Sequence, residues 1–94
     1  IKGSGSVLTV TSNFTADEKI STYLCDTSAS AIVISLPDFP TIGKVWNFKK
    51  IALNNTLQIR VNAPNSIDGL LTKNITALNN SYTLQFDGAT YKII

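Results

Sequence analysis

The chain has no histidine, no methionine, one cysteine (Cys25) and one tryptophan (Trp46) in 94 residues. The absence of histidine removes the usual general base near neutral pH, and with it the Ser-His-Asp and Cys-His arrangements. One cysteine excludes a disulfide within the chain, and with one cysteine and no histidine no zinc site is expected. Charge is also scarce. Lys and Arg number 8, Asp and Glu 6, and charged residues make up 15%, against about 25% in an average domain. A net charge of +2 gives no basic footprint, so no nucleic-acid partner is expected. No apolar run approaches the roughly 18 residues of a membrane-spanning helix, so no membrane insertion is expected. The start lacks the basic and apolar regions of a signal peptide, and none is expected there.

These absences leave a small core with few ways to be reinforced. A chain of this length is one domain and buries only about 60–65% of its unfolded surface. Disulfides and metals being excluded, oligomerisation is the remaining device. What is abundant is Ile, Thr, Asn and Ser, a mixture suited to strands and turns. Ile1–Ser6 has linker composition and reads as a linker, shaft junction or cloning remnant. Residues 7–94 then read as a single β-sandwich domain.

Alternation predicts strands over Val7–Thr11, Ile20–Asp26, Ala31–Leu36, Lys44–Leu53 and Thr56–Ala63, with Asn13–Lys19 as a turn. Asn54-Asn55 is suited to a two-residue hairpin turn. That hairpin would pair Leu53 with Thr56 and Phe48 with Val61, placing Trp46, Phe48, Leu57, Ile59 and Val61 on one face. Asp87-Gly88 predicts a second hairpin pairing Phe86 with Ala89 and Leu84 with Tyr91, and Asp68-Gly69 a third, shorter one. Seven to nine short strands with turns between them predict an all-β fold. The specific expectation is a small antiparallel, jelly-roll-like β-sandwich.

The chemistry-bearing residues have structural explanations. Asp68 and Asp87 precede glycines in turns, and no spacing singles out a carboxylate pair of the glycosidase kind, so catalysis is not expected. Cys25, flanked by Tyr23-Leu24, reads as a small buried hydrophobe. Trp46 shares a face with Phe48 and reads as packing; Tyr23 and Tyr82 are the better candidates for stacking on a glycan if exposed. Lys44, Lys49, Lys50 and Arg60 gather near one predicted hairpin. With Lys49 and Arg60 on its outer face, they read as a solvated face blunting an edge strand, or as contacts to an acidic receptor or a sialylated glycan. Val33, Val45, Ile51, Leu53 and Ile94 fall on faces that a free-standing sandwich leaves wet. Such an excess suggests a buried oligomer face.

The order of motifs resembles a known module. Tyr23-Leu24-Cys25-Asp26-Thr27-Ser28-Ala29 leads to Ile32-Val33-Ile34-Ser35-Leu36-Pro37 and Gly43-Lys44. Phe48-Lys49-Lys50, Leu57-Gln58-Ile59, Ile67-Asp68-Gly69, Tyr82-Thr83-Leu84-Gln85-Phe86-Asp87-Gly88 and Tyr91-Lys92-Ile93-Ile94 follow. Over residues 20–94 this resembles the distal module of phage tail fibres and of fibres on large DNA viruses and their virophages. Tyr91 stands where that family often carries Trp. The resemblance implies a homotrimeric β-structured tip on an elongated shaft, made in the host cytoplasm and displayed on the virion surface. It implies adhesion to a host or partner-virus surface through a glycan or protein receptor, with no cofactor. On that reading Val33, Val45, Ile51, Leu53 and Ile94 are trimer-interface candidates, and Lys49, Arg60 and Tyr23 receptor-contact candidates. Asn54, Asn55, Asp68, Gly69, Asp87 and Gly88 make turns. The rival readings are a monomeric carbohydrate-binding module and a purely structural trimerisation cap.

Overall fold

In a strand, successive side chains point to opposite faces, so alternation selects the core before any partner is chosen. Trp46, Phe48 and Lys50 are fully buried, whereas Val45, Asn47 and Lys49 between them are half-buried. Leu57, Ile59 and Val61 are buried in the same way. A computed structural model describes residues 6–94. Among them are nine strands: β1 (Val7–Val10), β2 (Phe14–Thr15), β3 (Thr22–Cys25), β4 (Ile32–Ser35), β5 (Val45–Lys50), β6 (Leu57–Arg60), β7 (Thr72–Ile75), β8 (Ser81–Phe86) and β9 (Tyr91–Ile93). The expected linker lies outside the described residues except for Ser6. That residue belongs to the domain, since its carbonyl accepts the N–H groups of Ser21 and Thr22.

The chain is all-β, in two mixed sheets around one core. One has five strands in the order β1-β3-β5-β8-β9; the other has four in the order β2-β4-β6-β7. From β1 to β6 the chain crosses to the opposite sheet at every step. Successive strands within a sheet are therefore parallel: β1 with β3, β3 with β5, β2 with β4 and β4 with β6. Parallel neighbours need a crossover connection, and here each crossover is a strand of the facing sheet. The pairings β5-β8, β6-β7 and β8-β9 are antiparallel. The wholly antiparallel pairing expected from the turns is corrected accordingly.

The same topology overturns the Asn54-Asn55 hairpin, because β5 and β6 belong to different sheets. A two-residue primed turn of the Asn-Asn kind needs positive φ at both central residues, and only Asn55 has it, at 64°. The Lys50 ammonium holds the chain in its crossing path by donating to the carbonyls of Ala52 at 2.5 Å and Leu53 at 3.0 Å. Asn55 Nδ2 ties the far side of the turn to the Thr27 carbonyl at 2.8 Å. The Asp87-Gly88 hairpin forms with a longer loop than expected. Phe86 pairs with Tyr91 and Leu84 with Ile93. Asp87 Oδ1 accepts the N–H groups of Ala89 and Thr90, which favours a four-residue loop. That register differs by two residues, so every side chain keeps its face. The short Asp68-Gly69 turn is as expected: φ is 48° and 88° at the two positions, and Ile67 and Leu70 exchange both hydrogen bonds.

Parallel register stacks like upon like. Tyr23 lies beside Phe48, the rings 5.7 Å apart and 9° from parallel. Ile34 stands between Phe14 and Ile59. The polar ends of the buried aromatics find partners: Trp46 Nε1 donates to the Asp17 carbonyl at 3.1 Å, and Tyr91 Oη donates to the Pro37 carbonyl at 2.6 Å. Strands β2 and β7 were not visible in the alternation. The first has two residues. The second is a sheet edge with Lys73 directed inward, its Nζ 5.2 Å above the Tyr82 ring, a usual way to keep an edge from pairing with another chain.

Candidate functional site

The two sheets present outer faces of opposite character. On the five-stranded sheet, parity and register place Val7, Thr22, Asn47, Thr83 and Ile94 in one row. The middle of that row is a side-chain ladder: Asn47 Nδ2 donates to Thr22 Oγ1 at 3.3 Å, and Thr83 Oγ1 donates to Asn47 Oδ1 at 2.6 Å. Neighbouring rows add Thr9, Leu24, Lys49 and Ser81, then Val45, Gln85 and, on the edge strand, Lys92. Ile51 extends the face past the end of β5. The surface is aliphatic and hydroxylated. Its central strands carry charges of opposite sign, Lys49 with Asp26 diagonally beside it.

The four-stranded sheet is polar outside. Its rows are Thr15, Ser35, Arg60 and Thr72, then Val33, Gln58 and Asn74. A depression of about 470 Å³ opens here, lined by Asn13, Phe14, Thr15, Val33, Ser35 and Arg60. Asn13 Oδ1 accepts the Val33 N–H at 2.8 Å, which fixes the amide over the strand. Arg60 Nη2 donates to Asn62 Oδ1 at 3.3 Å. Asn62 Nδ2 donates to Asp38 Oδ1 at 3.3 Å, and Asn65 Nδ2 to the Asp38 carbonyl at 2.8 Å. Next to Asp38, Phe39 is 89% exposed.

The sequence-derived candidates are thereby redistributed. Val45, Ile51 and Ile94 share the five-stranded sheet's outer face, and Leu53 is 71% exposed in the β5–β6 turn. Val33 lies on the opposite outer face, in the depression. Lys49 and Arg60 project from opposite faces, because β5 and β6 are in different sheets. The expected cationic cluster does not form: Lys50 is in the core, and Lys44 Nζ donates to the Glu18 carbonyl over the Trp46 ring. Nor does β5 lie at an edge; it is the central strand of its sheet. Tyr23 is 1% exposed and its Oη accepts the Asp17 N–H, so it is corrected from receptor contact to core residue. Alternation in Tyr23-Leu24-Cys25 leaves the facing ambiguous, because Tyr, Leu and Cys all suit a buried position. The depression and the Asp38–Asn62–Asn65 group were missed. Only the sheet pairing brings Asn13, Ser35 and Arg60 together, and no sequence spacing signals it.

Burial pushes up the Tyr23 and Tyr91 phenols and raises the Cys25 thiol to about 12. In the unfolded chain these groups ionise near their ordinary values of 10.0 and 9.0. Their folded forms hold the proton longer. The stability they carry is thus intact below the unfolded values and lost as pH rises through the folded ones. The thermal midpoint is expected to fall steeply above about pH 9–10, and native Cys25 at pH 8 to resist thiol reagents until the chain is denatured. A flat midpoint to pH 11, or fast native labelling, would contradict this burial.

No group of three or more His, Cys, Asp or Glu able to hold a metal occurs among the described residues. No family model and no curated protein matches the sequence.

Proposed function

We propose that this domain is the C-terminal tip of a trimeric viral fibre, which holds three copies together and attaches the particle to a surface receptor. The observation that carries the reading is the division of the two outer faces. With the five-stranded sheets turned toward a three-fold axis, each aliphatic face meets both neighbours in a triangular prism. Val45, Ile51 and Ile94 then leave water, and the four-stranded sheet with its polar depression looks outward. Among the described residues ten large hydrophobic side chains are exposed, and three of them, Val7 at 60%, Ile51 at 36% and Ile94 at 66%, lie on this face; exposed apolar side chains gathered on one face mark an interface. The order of motifs that resembles distal fibre modules supports the same reading. Three weak sites on one rigid tip would gain affinity through effective concentration, by roughly 10²–10⁴.

Light scattering over a dilution series tests it. The expected mass is three times 10.2 kDa, stable to micromolar concentration. A monomer throughout would overturn the fibre tip. It would favour a monomeric carbohydrate-binding module, for which the polar depression on the outer sheet is the supporting observation. A trimer that binds no cell surface would leave a purely structural cap.

A further inference from the structure

We infer that the depression on the four-stranded sheet is a binding site for a carboxylate-bearing sugar at the end of a surface glycan. The assignment rests on the attachment reading above and names its ligand. The depression joins the three elements of a sugar site. The first is an anion-binding group. Among the described residues Arg60 makes a side-chain hydrogen bond to a neutral amide, Asn62, and none to a carboxylate. Its guanidinium is thus oriented from one side without being neutralised, and a guanidinium is the donor best matched to a planar carboxylate. Asp38 is the nearest acid in this network, and Asn62 stands between it and Arg60.

The second element is a set of fixed neutral groups. Asn13 is anchored through Oδ1, which leaves its NH₂ as the side able to meet a ligand. Thr15 and Ser35 are register partners across β2 and β4, and Ser35 is in turn the partner of Arg60. Amides and hydroxyls of this kind donate and accept as sugar hydroxyls do. The third is an apolar wall. Val33 supplies it on the outer face; Phe14 also lines the depression, but it pairs with the buried Ile34 and its ring lies 4.5 Å from Tyr23 on the inner side. A sugar ring has an apolar C–H face suited to such a wall. A neutral sugar would use the second and third elements only, leaving the exposed Arg60 without a counter-charge.

The test is an amide-resolved NMR titration of the whole domain with the methyl glycoside of N-acetylneuraminic acid and, separately, with its neutral methyl ester. The acid is expected to shift Asn13, Thr15, Val33 and Ser35 saturably, with Kd on the order of 1 mM. The ester is expected to bind at least about 10-fold more weakly, and Arg60→Gln to lose a similar factor while its spectrum stays folded. Equal binding of acid and ester, retained binding in Arg60→Gln, or no shifts around the depression would each overturn the site. The oligomeric mass is read on the same sample. A monomer that binds the acid would sink the fibre tip and keep this site; a trimer that does not would do the reverse.

Discussion

Lys50→Glu is expected to leave the chain unfolded or insoluble at 25 °C, whereas Lys49→Glu, one residue earlier, folds with a midpoint within a few degrees of the parent. The two lysines differ only in face. Lys50 has the parity of Trp46 and Phe48 and is 0% exposed; Lys49 lies on the outer side. At Lys50 the aliphatic stem fills core space while the ammonium donates to the Ala52 and Leu53 carbonyls. A carboxylate there has no proton to give and sets negative charge against two acceptors. Leaving the Ala52 carbonyl unpaired costs about 1–3 kcal/mol, and burying the new charge against two carbonyl oxygens costs several more. The sum exceeds what a domain of this size can lose, since its whole stability is about 5–10 kcal/mol. Lys50→Met separates the two roles. It keeps the stem and loses the donors, and the Leu53 carbonyl lies in a turn whose side chain is 71% exposed. A loss of about 1–3 kcal/mol is expected in urea denaturation. A native-like midpoint for Lys50→Glu would show that the ammonium does not hold the crossing between the sheets.

The contrast between these neighbours shows how far the sequence could be read. Facing is local: it follows from period two and needs no knowledge of the partner. Trp46, Phe48, Leu57, Ile59 and Val61 were therefore assigned to the core correctly, although the hairpin used to align them does not exist. The Asp87-Gly88 register was off by two residues and still put Phe86, Leu84 and Tyr91 inside. Pairing is not local. An Asn-Asn turn between two alternating segments looks alike whether the second returns beside the first or crosses to a facing sheet. What decides it is the partner across the sheet, Asn47 beside Thr22 and Ile59 beside Ile34, drawn from residues 25 positions away. The misplacement of Arg60 relative to Lys49 came directly from this. The polar depression needs three strands in parallel register to exist, so it was out of reach altogether. The turns at Asp68-Gly69 and Asp87-Gly88 were legible because glycine at positive φ, 88° and 102°, is a local requirement.

Val45→Asp combined with Ile51→Asp is expected to convert trimers into folded monomers at micromolar concentration, while Val33→Asp leaves the mass unchanged. Val45 and Ile51 lie on the aliphatic outer face of the five-stranded sheet; Val33 lies on the polar face opposite. Two opposed faces of one sandwich cannot both close a ring of three, because stacking one on the other builds an open filament. If the aliphatic face is turned to the axis, Val33 is outside. In the monomer Val45 is half-buried and Ile51 36% exposed, so each aspartate costs the fold only about 1 kcal/mol, mostly as poor strand propensity. In the assembly the same carboxylates lose water, and the one cation beside them, Lys49 two residues from Ile51, already has Asp26 diagonally next to it. Even a modest penalty of about 2 kcal/mol per interface is repeated at three interfaces, or about 6 kcal/mol per trimer, roughly 10⁴-fold in the assembly constant. Light scattering reads the mass, and far-ultraviolet circular dichroism shows that the monomer is folded. Trimers persisting in the double variant would remove this face from the interface. Dissociation by Val33→Asp would turn the molecule round, placing the depression and Arg60 at the axis, where no surface glycan could reach them.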